Sequence, residues 1–389
     1  MSKIKGCILP WVHMMGGLTG KYYPCCFVEY EDNTLIMGDH SDKILDVWNG
    51  DAYKQLRTDF LSNDIPDVCQ RACYNKEAHN DISNRLQANN RWADKAGLQQ
   101  DTAIDGSVDN TPIYLDIRFG NTCNFKCRTC GPHSSTSWYA DALSYNKIPD
   151  YYTDNDALWS SLPIIVPNIE EVYFAGGEPL VQEGHYKLLL YLISSGFAKD
   201  IILNYNSNLS YTKYKQHDIK TLWNNFKKVS VWPSIDGWGT RLEYTRKGIS
   251  INKLVENLQF YKSYISTISC VISIYSITSM PDFILWAKAN NFNYHGTTLS
   301  NPENQKVTCL PKEAKKHIID LYKAFCVKHS DILTTEDYKQ IKAWLSSMLS
   351  VDDSNLLPAF KEEQLRLDKL RNESFSTTYP EYASWFNSI

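Results

Sequence analysis

The sequence predicts an α/β fold in which six parallel strands alternate with helices. Apolar, β-rich runs recur between segments of helical spacing from about residue 111 to residue 310. Alternation of this kind indicates a parallel sheet with right-handed crossovers. Six repeats are too few for a closed eight-stranded barrel, so we expect a partial, TIM-like (β/α)6 barrel. A flavodoxin-like or doubly wound sheet is the alternative.

The individual elements follow from the period of the apolar residues, which is two in strands and about 3.6 in helices. The predicted strands lie at 113–119, 170–175, 200–206, 228–235, 268–275 and 293–299. The predicted helices lie at 134–145, 183–195, 211–226, 251–264 and 281–290. We further predict three domains, which are a cysteine-rich module at 1–100, the barrel at 111–310 and a helical region at 311–389. The helical region is expected to cover the open side of the barrel or to bind a partner.

Composition limits the class of protein. The 389 residues carry a formal net charge of −4, with acidic and basic residues mixed along the chain. No long basic stripe indicates nucleic-acid binding, although the composition leaves that function open. No apolar run is long enough to span a bilayer, and the first residues do not form a signal peptide. We therefore expect a cytoplasmic protein in which the eleven cysteines are metal ligands or core residues, not disulfides.

Three cysteines form a C-x3-C-x2-C motif at Cys123, Cys127 and Cys130. The motif follows the first predicted barrel strand, at the end where α/β barrels place their chemistry. Three thiolates this close can hold three corners of a four-iron cluster and leave the fourth iron open to a substrate or cofactor. A structural zinc site completed by His133 is the alternative.

A second set of cysteines lies near the N-terminus. Cys7, Cys25, Cys69 and Cys73 belong to this set, and Cys69 and Cys73 lie on one face of a helical turn, within reach of one metal centre. Gly20 permits the tight turn of a hairpin between Met15 and Phe27. Cys26 is expected to point the other way along the second strand of this hairpin. A zinc ribbon built from the same four cysteines is the alternative.

These motifs resemble those of the radical S-adenosylmethionine superfamily. Its members carry this cysteine spacing after the first barrel strand, and the resemblance implies that the open iron binds S-adenosylmethionine. Cys7, Gly20 and Cys25, with the later pair Cys69 and Cys73, resemble the auxiliary-cluster module called SPASM, or twitch in its shorter form. The resemblance implies that these four cysteines are the ligands of a second cluster and close it fully. The chain departs from the family at Thr129, where a large apolar residue that contacts adenine is usual. The order of the domains also differs from that of the best-known members, because the module precedes the barrel here and follows it there.

The resemblance implies roles for residues that follow the second and third strands. Gly176, Gly177, Glu178 and Pro179 would bind the amino group of the methionine moiety, with Glu178 accepting a hydrogen bond from the ammonium. Asn206 or Asn208 would lie near the ribose, and a plain polar turn is the alternative for these two residues.

After the fourth strand, the stretch from Ser234 to Gly237 resembles the family's S-x-D-G motif. Ser234 would bind the cofactor carboxylate or ribose, and Asp236 would touch the substrate or move a proton. Arg246 matches an arginine that pairs with the cofactor carboxylate in peptide-modifying members. A solvated surface arginine is the alternative at that position.

The resemblance therefore implies a radical enzyme that cleaves S-adenosylmethionine reductively and abstracts hydrogen from its substrate. It implies two [4Fe-4S] clusters and a reducing partner such as flavodoxin or ferredoxin. A peptide or protein side chain is the favoured substrate, because enzymes with this module mostly act on polypeptides. The alternatives are a radical enzyme that acts on a nucleotide, RNA or small metabolite, and a non-catalytic iron–sulfur or zinc scaffold.

Overall fold

The computed structural model describes residues 4–31, 34–78, 82–142 and 156–388. The backbone forms two compact units that alternate along the chain. The first unit contains residues 1–122, 147–205 and 213–229, and the second contains residues 123–146, 206–212 and 230–389. The predicted domain boundaries at 1–100, 111–310 and 311–389 stay a prediction.

Eleven strands lie in the described parts of the chain. In order they are β1 (His13–Gly16), β2 (Lys21–Tyr23), β3 (Gly38–Asp39), β4 (Tyr114–Ile117), β5 (Glu171–Phe174), β6 (Ile202–Ser207), β7 (Lys213–Tyr214), β8 (His217–Asp218), β9 (Lys228–Pro233), β10 (Ile268–Ile272) and β11 (Tyr294–Thr298).

The α-helices of the same residues range from single turns to seventeen residues. In order they are α1 (Leu9–Val12), α2 (Cys26–Glu31), α3 (Ile44–Trp48), α4 (Asp51–Ser62), α5 (Asp67–Cys69), α6 (Asn75–Ala78), α7 (Asn84–Arg91), α8 (Asp156–Ile165), α9 (Glu183–Ser194), α10 (Ile219–Trp223), α11 (Gly239–Thr245), α12 (Ile251–Tyr261), α13 (Met280–Ala289), α14 (Lys312–Lys328), α15 (Thr335–Ser350), α16 (Leu357–Arg371), α17 (Phe375–Thr378) and α18 (Ala383–Ser388). None of these helices is long and apolar enough to cross a membrane.

In the first unit, the sheet extends to both sides of β4. On one side β4, β5 and β6 pair in parallel, with Asp116 opposite Tyr173 and Tyr173 opposite Asn204. On the other side β1 pairs with β4 in parallel, with Met15 opposite Asp116, and β2 and β3 follow in antiparallel order. The predicted N-terminal hairpin is confirmed, and Gly20 has a φ of 79° in its turn. The hairpin is also part of the parallel sheet, which the sequence did not indicate.

In the second unit, β10 and β11 pair in parallel. The Ser234 backbone N–H donates to the Ser207 carbonyl at 2.9 Å, which places the end of β9 beside the end of β6. A parallel bridge joins Ser234 to Ser269 at the start of β10. The fold is therefore α/β with a mostly parallel sheet. All six predicted strands are present, with their ends shifted by up to three residues.

Three of the predicted crossover helices are confirmed as α9, α12 and α13. In α12 the buried apolar residues Leu254, Leu258 and Tyr261 follow the helical period, so one face of the helix packs on the core. A helix that the sequence did not predict, α8, precedes β5.

The single helix predicted at 211–226 is wrong. The segment forms the antiparallel hairpin of β7 and β8, and only the short helix α10 follows it. Lys215 has a φ of 51°, a left-handed conformation that interrupts a right-handed helix. The Asp218 carboxylate then accepts the N–H groups of Lys220 and Thr221, which caps α10 at its first turn.

The helix predicted at 134–145 is wrong over its described part, and residues 143–145 lie outside the described residues. Thr136–Trp138 form one 3-10 turn, in which the Ser135 hydroxyl accepts the Ser137 N–H. The Trp138 indole N–H donates to the Cys127 carbonyl at 2.9 Å. The described part of this segment therefore forms a short turn instead of a longer helix, and its Trp138 side chain holds the cysteine loop.

Cys26 also differs from the expectation. β2 ends at Tyr23, and Cys26 begins α2, so Cys26 does not continue the strand. The expectation that Cys26 points the other way along the strand is therefore wrong, because Cys26 lies in a helix.

Candidate functional site

The three-cysteine motif lies on a loop that the second unit fastens on both sides of Cys127. The Lys126 N–H donates to the Lys247 carbonyl at 2.9 Å, and the Arg128 N–H donates to the Thr245 carbonyl at 2.7 Å. The loop backbone is thus paired with the segment that follows α11. This pairing fixes the backbone position of the loop on both sides of Cys127.

Two of the three sulfurs accept N–H donors. Cys123 Sγ accepts the Phe125 backbone N–H at 3.4 Å and the Asn208 side-chain amide at 3.9 Å. Cys127 Sγ accepts Nη1 of Arg246 at 3.8 Å. Donors of this kind stabilise negative charge on sulfur and tune the potential of iron–sulfur clusters. The surroundings of the motif therefore fit a thiolate-bound, negatively charged group.

The Cys127 and Cys130 side chains are hydrogen-bonded to each other. That hydrogen bond lowers the pKa of the Cys127 thiol, and the Arg246 guanidinium acts in the same direction against the effect of burial. The same hydrogen bond, with burial, raises the pKa of Cys130 well above its ordinary value. Binding of a metal to both sulfurs would release the proton that they share.

The Asp236 carboxylate is buried, and both of its oxygens have partners. Oδ2 accepts Nε of Arg246 at 2.7 Å, and Oδ1 accepts the Val271 N–H at 2.7 Å. Burial would lower the pKa of Arg246, but Asp236 and the neighbouring sulfurs outweigh it and raise that pKa. Because the Arg246 side chain is 12% exposed, the alternative of a solvated surface arginine is wrong. The substrate or proton role of Asp236 stays a prediction, and the geometry favours a residue that holds Arg246.

Of the two asparagines considered after the third predicted strand, Asn208 contacts the cysteine loop. Its amide donates to the Asn124 side-chain oxygen at 3.1 Å as well as to Cys123. Asn206 lies within β6 itself, and Ser234 directly follows β9. The roles predicted for Asn206 and Ser234 toward the cofactor stay predictions.

The Gly176–Pro179 stretch follows β5 and packs on the loop backbone that follows β4. The Gly177 N–H donates to the Gly120 carbonyl at 3.1 Å. A Cβ on Gly177 would lie 2.2 Å from the Thr122 carbonyl oxygen. A side chain cannot be placed there without moving the backbone, so the close approach requires glycine. Gly176 has a φ of 110°, which also favours glycine.

Glu178 is buried at the end of this stretch, with 1% of its surface exposed. Its backbone N–H donates to the Thr122 carbonyl at 2.9 Å, and its Oε1 accepts the Leu180 N–H at 3.0 Å. Gln182 also donates to the Gly120 carbonyl, at 2.8 Å. A buried carboxylate held in this way is suited to accept a cationic donor.

The N-terminal cysteines of the first unit line one cavity together. The predicted ligands in its wall are Cys7, Cys25, Cys69 and Cys73. Val28, Leu56 and Phe60 supply apolar parts of the same wall, and Cys26 is not among the lining residues. Cys69 ends α5, and Cys73 lies in the π-helical turn Gln70–Tyr74 that follows it. Such turns recur at functional sites.

Burial dominates the titration of these thiols. It raises the pKa of Cys7 to about 12 and that of Cys69 to about 12, and it raises the pKa of Cys25 well above the ordinary value. Neighbouring cysteines act in the same direction on all three thiols. A metal that binds here must therefore displace protons, which makes its affinity depend on pH.

Arg85 is a residue of this site that the sequence did not single out. It lines the cysteine cavity, where its Nη1 donates to the Gly6 carbonyl at 2.8 Å. Its Nε donates to Glu77 Oε1 at 2.9 Å. The guanidinium lowers the pKa of Cys7, although burial is the larger effect. It therefore supplies positive charge beside a set of four thiols.

Arg128 is a second such residue, placed between two cysteines of the motif. Its guanidinium lies 3.7 Å from the centre of the Tyr244 ring, and its Nη1 donates to Gln364 at 2.7 Å. Gln305 donates to the Arg128 carbonyl at 3.0 Å. The side chain thus joins the cysteine loop to α16 of the helical region. An arginine in a short cysteine loop carries no sequence signal of such a role.

The two cysteine sets limit which kind of metal group the chain could hold. Across the residues described, no three His, Cys, Asp or Glu side chains are placed to hold a single metal ion, with His133 included. A cubic cluster instead takes one cysteine at each iron corner. The two sets supply sulfur ligands of that type, with N–H donors around one set and a shared cavity for the other.

Residues 7–74 match the family model of SPASM, an iron–sulfur cluster-binding domain. A stretch of 110 residues, which is 28% of this chain, is 27% identical to GTP 3',8-cyclase of Campylobacter lari. The match spans only 30% of that relative's length.

Among solved structures, Streptococcus suis SuiB bound to S-adenosylmethionine is 10% identical, with a TM-score of 0.38 over 72% of this chain and 62% of its own. SuiB bound to the precursor peptide SuiA is 11% identical, with a TM-score of 0.38 over 72% of this chain and 60% of its own. The chain thus spans less than two thirds of these proteins, and the likenesses are distant.

The SPASM match begins at Cys7 and ends just after Cys73, so it contains the whole N-terminal cysteine set. The three-cysteine loop follows β4, and the Gly-Gly-Glu-Pro stretch follows the next strand, β5. The family model shows that residues 7–74 are a SPASM iron–sulfur cluster-binding domain. The two motifs that follow β4 and β5 are similar to those of the radical S-adenosylmethionine proteins that carry such a domain.

Proposed function

We propose that the chain is a radical S-adenosylmethionine enzyme with its reactive centre at Cys123, Cys127 and Cys130. The observation that carries the proposal is the set of N–H donors to two of these sulfurs on a loop fastened at both sides. When bound there, a [4Fe-4S] cluster and S-adenosylmethionine supply a reductive cleavage to methionine and a 5′-deoxyadenosyl radical, which abstracts hydrogen from the substrate. The chain's residues hold the sulfurs and favour their charged form.

The residues proposed to bind S-adenosylmethionine follow the family resemblance. Glu178 would accept the methionine ammonium, and its burial supports a strong charge-assisted hydrogen bond. Asn206 would lie near the ribose, Ser234 would bind the carboxylate or the ribose, and Arg246 would pair with the carboxylate. The parallel pairing of β4, β5 and β6 in the first unit, and that of β10 and β11 in the second, support a partial (β/α)6 barrel as the scaffold, with the SPASM module N-terminal to it.

We assign a second, auxiliary [4Fe-4S] cluster to Cys7, Cys25, Cys69 and Cys73. Their shared cavity supports this set, and the absence of Cys26 from its lining favours Cys25 as the ligand. Four thiolates leave no open iron, so this cluster would relay an electron or bind substrate. Two four-iron clusters give about eight irons per chain. Iron analysis after anaerobic purification tests this number, and zinc without iron would support the scaffold alternative.

The substrate proposed first is a peptide or protein side chain, because the resemblance to SPASM enzymes implies it. A reducing partner such as flavodoxin or ferredoxin rests on the same resemblance. A cytoplasmic location rests on the composition of the chain. A test is to supply the reduced protein with S-adenosylmethionine and a lysate peptide fraction, and to search by mass spectrometry for peptides changed only when 5′-deoxyadenosine forms.

The second candidate substrate is a nucleotide, RNA or small metabolite. The observation that favours it is the name of the 27% identical relative, GTP 3',8-cyclase. Crosslinking under turnover conditions separates the two candidates. Recovery of nucleotide or RNA and of no peptide would favour the second, and recovery of peptide alone would favour the first.

A further inference from the structure

We infer that Asp236 and Arg246 form a fixed dipole that raises the reduction potential of the cluster proposed at Cys123, Cys127 and Cys130. The inference rests on the proposed function, since it needs a cluster at these sulfurs. It gives Asp236 a role different from moving a proton. It also gives Arg246 a role that does not require the cofactor carboxylate.

Within the second unit, Asp236 contacts Arg246, and Arg246 contacts Cys127. Asp236 Oδ2 accepts Nε of Arg246 at 2.7 Å, and Nη1 of the same guanidinium lies 3.8 Å from Cys127 Sγ. The Asp236 carboxylate therefore lies on the Nε side of the guanidinium, and the positively charged Nη1 side faces the Cys127 sulfur. The Val271 backbone N–H fixes the far oxygen of Asp236 at 2.7 Å, so the carboxylate cannot turn freely.

Burial makes this arrangement effective. The Asp236 side chain is 0% exposed and the Arg246 side chain is 12% exposed. Water therefore screens the dipole weakly, and its field acts on a nearby charge more strongly than at the surface. Reduction adds one negative charge to a cluster. A positive group and an N–H donor at a ligand sulfur stabilise that added charge, which raises the potential.

An arginine is required to make both contacts at once. Its planar fork presents Nε and Nη1 in fixed directions, whereas a lysine ammonium is a single point. We therefore treat Arg246 as a residue that orients charge toward Cys127, and Asp236 as the residue that holds Arg246. Neither needs to touch the substrate for this role.

The test is a redox titration of the full chain followed by electron paramagnetic resonance. The signal of the three-cysteine cluster is identified as the one absent from the Cys127→Ala variant. In Arg246→Gln, the ratio of reduced to oxidised cluster at a fixed potential should fall about tenfold, which is 59 mV for one electron. Arg246→Lys keeps the charge and loses the fork, so its potential should lie between the two.

The matched control is Arg241→Gln. Arg241 lies five residues earlier, in α11, and its guanidinium contacts Thr278 and Glu381 instead of a cysteine. Its loss should leave the potential unchanged. Equal potentials in the natural chain, Arg246→Gln and Arg246→Lys, with iron fully loaded in all three, would overturn the inference. So would an equal downward shift in Arg241→Gln, because the effect would then be one of net charge.

A second measurement holds even if Arg246→Gln loses its iron. Pulsed electron paramagnetic resonance on protein labelled with arginine that carries 15N only in its guanidinium group should show nitrogen coupling to the reduced cluster, and Arg246→Lys should remove it. Coupling that persists in Arg246→Lys would overturn the inference. Absence of any cluster signal that depends on Cys127 in the natural chain would instead overturn the proposed function.

Discussion

Nη2 of Arg128 donates to Oδ1 of Asp368 at 2.6 Å, across 240 residues of chain. The same nitrogen donates to Glu373 Oε2 at 2.8 Å, and the Arg128 side chain is 0% exposed. The guanidinium therefore contacts one carboxylate in α16 and one just after it, while the Arg128 backbone lies between Cys127 and Cys130. Within the second unit, the helical region holds the cysteine loop.

Replacing Arg128 should destabilise the protein strongly. Arg128→Leu leaves Asp368 without its buried counter-charge, whereas Glu373 keeps its ion pair with Lys247. Loss of one partner of a buried ion pair costs about 3–5 kcal/mol of unfolding free energy. Chemical denaturation of the full chain measures this loss. The control is Lys323→Leu, which removes a side chain that is 74% exposed and paired only with Asp320 at 3.9 Å. That change should stay within about 0.5 kcal/mol, and equal losses in both variants would contradict the role of Arg128.

The two glycines Gly177 and Gly97 should respond in opposite ways to alanine. In Gly177→Ala the new Cβ would meet the Thr122 carbonyl oxygen at 2.2 Å, so the backbone must shift. We expect a loss of about 1–3 kcal/mol in unfolding free energy. Gly97 has no heavy atom within 4 Å of an added Cβ, and Gly97→Ala should be neutral or stabilising. A Gly177→Ala protein as stable as Gly97→Ala would show that the strands and loops are not this close.

The strands could be predicted because each is a short apolar run between turn residues, a signal contained within the segment itself. Their neighbours could not, since the pairing of β1 with β4 joins segments about a hundred residues apart. The failed helix at 211–226 shows a second limit. Its apolar residues fit a helical period, but the left-handed conformation of Lys215 begins a hairpin turn that no periodicity reveals.

Stability should fall with acid because of His185. Burial lowers the pKa of this histidine from 6.5 to about 3, so the unfolded chain binds its proton first as the pH falls. The folded state therefore loses stability as the pH falls from 6.5 toward 3, by about 1.4 kcal/mol per unit. Denaturation at pH 7 and pH 5 should show a drop about 2 kcal/mol smaller in His185→Gln than in the natural chain. Identical drops would contradict a buried, neutral His185.

The N-terminal set should lose iron with Cys69 and keep it without Cys26. Cys69 lines the shared cavity, and Cys26 does not. Cys69→Ala should reduce the iron of the anaerobic protein by about four per chain, and Cys26→Ala should leave it unchanged. Iron and sulfide analysis of the two variants measures this. Loss of iron in Cys26→Ala with full iron in Cys69→Ala would require another ligand set.

The cysteines could be singled out by their spacing, and the Gly-Gly-Glu-Pro stretch by its resemblance to a family motif. The residues around them could not. Asn206 and Asn208 are the same residue type two positions apart, and the contact of Asn208 with Cys123 depends on the fold. Arg246 and Asp236 each belong to a recognisable motif. Their contact with each other depends on the fold of the second unit, which the motifs do not indicate.

The most direct test of the central claim is the formation of 5′-deoxyadenosine from S-adenosylmethionine by the reduced, anaerobically reconstituted protein. The natural chain should form it, and Cys127→Ala should form none while retaining the iron of the N-terminal set. Cys69→Ala should still form it without turning over a substrate, because the two ligand sets do not overlap. Formation at the natural rate by Cys127→Ala, or none by a fully iron-loaded natural chain, would contradict the account.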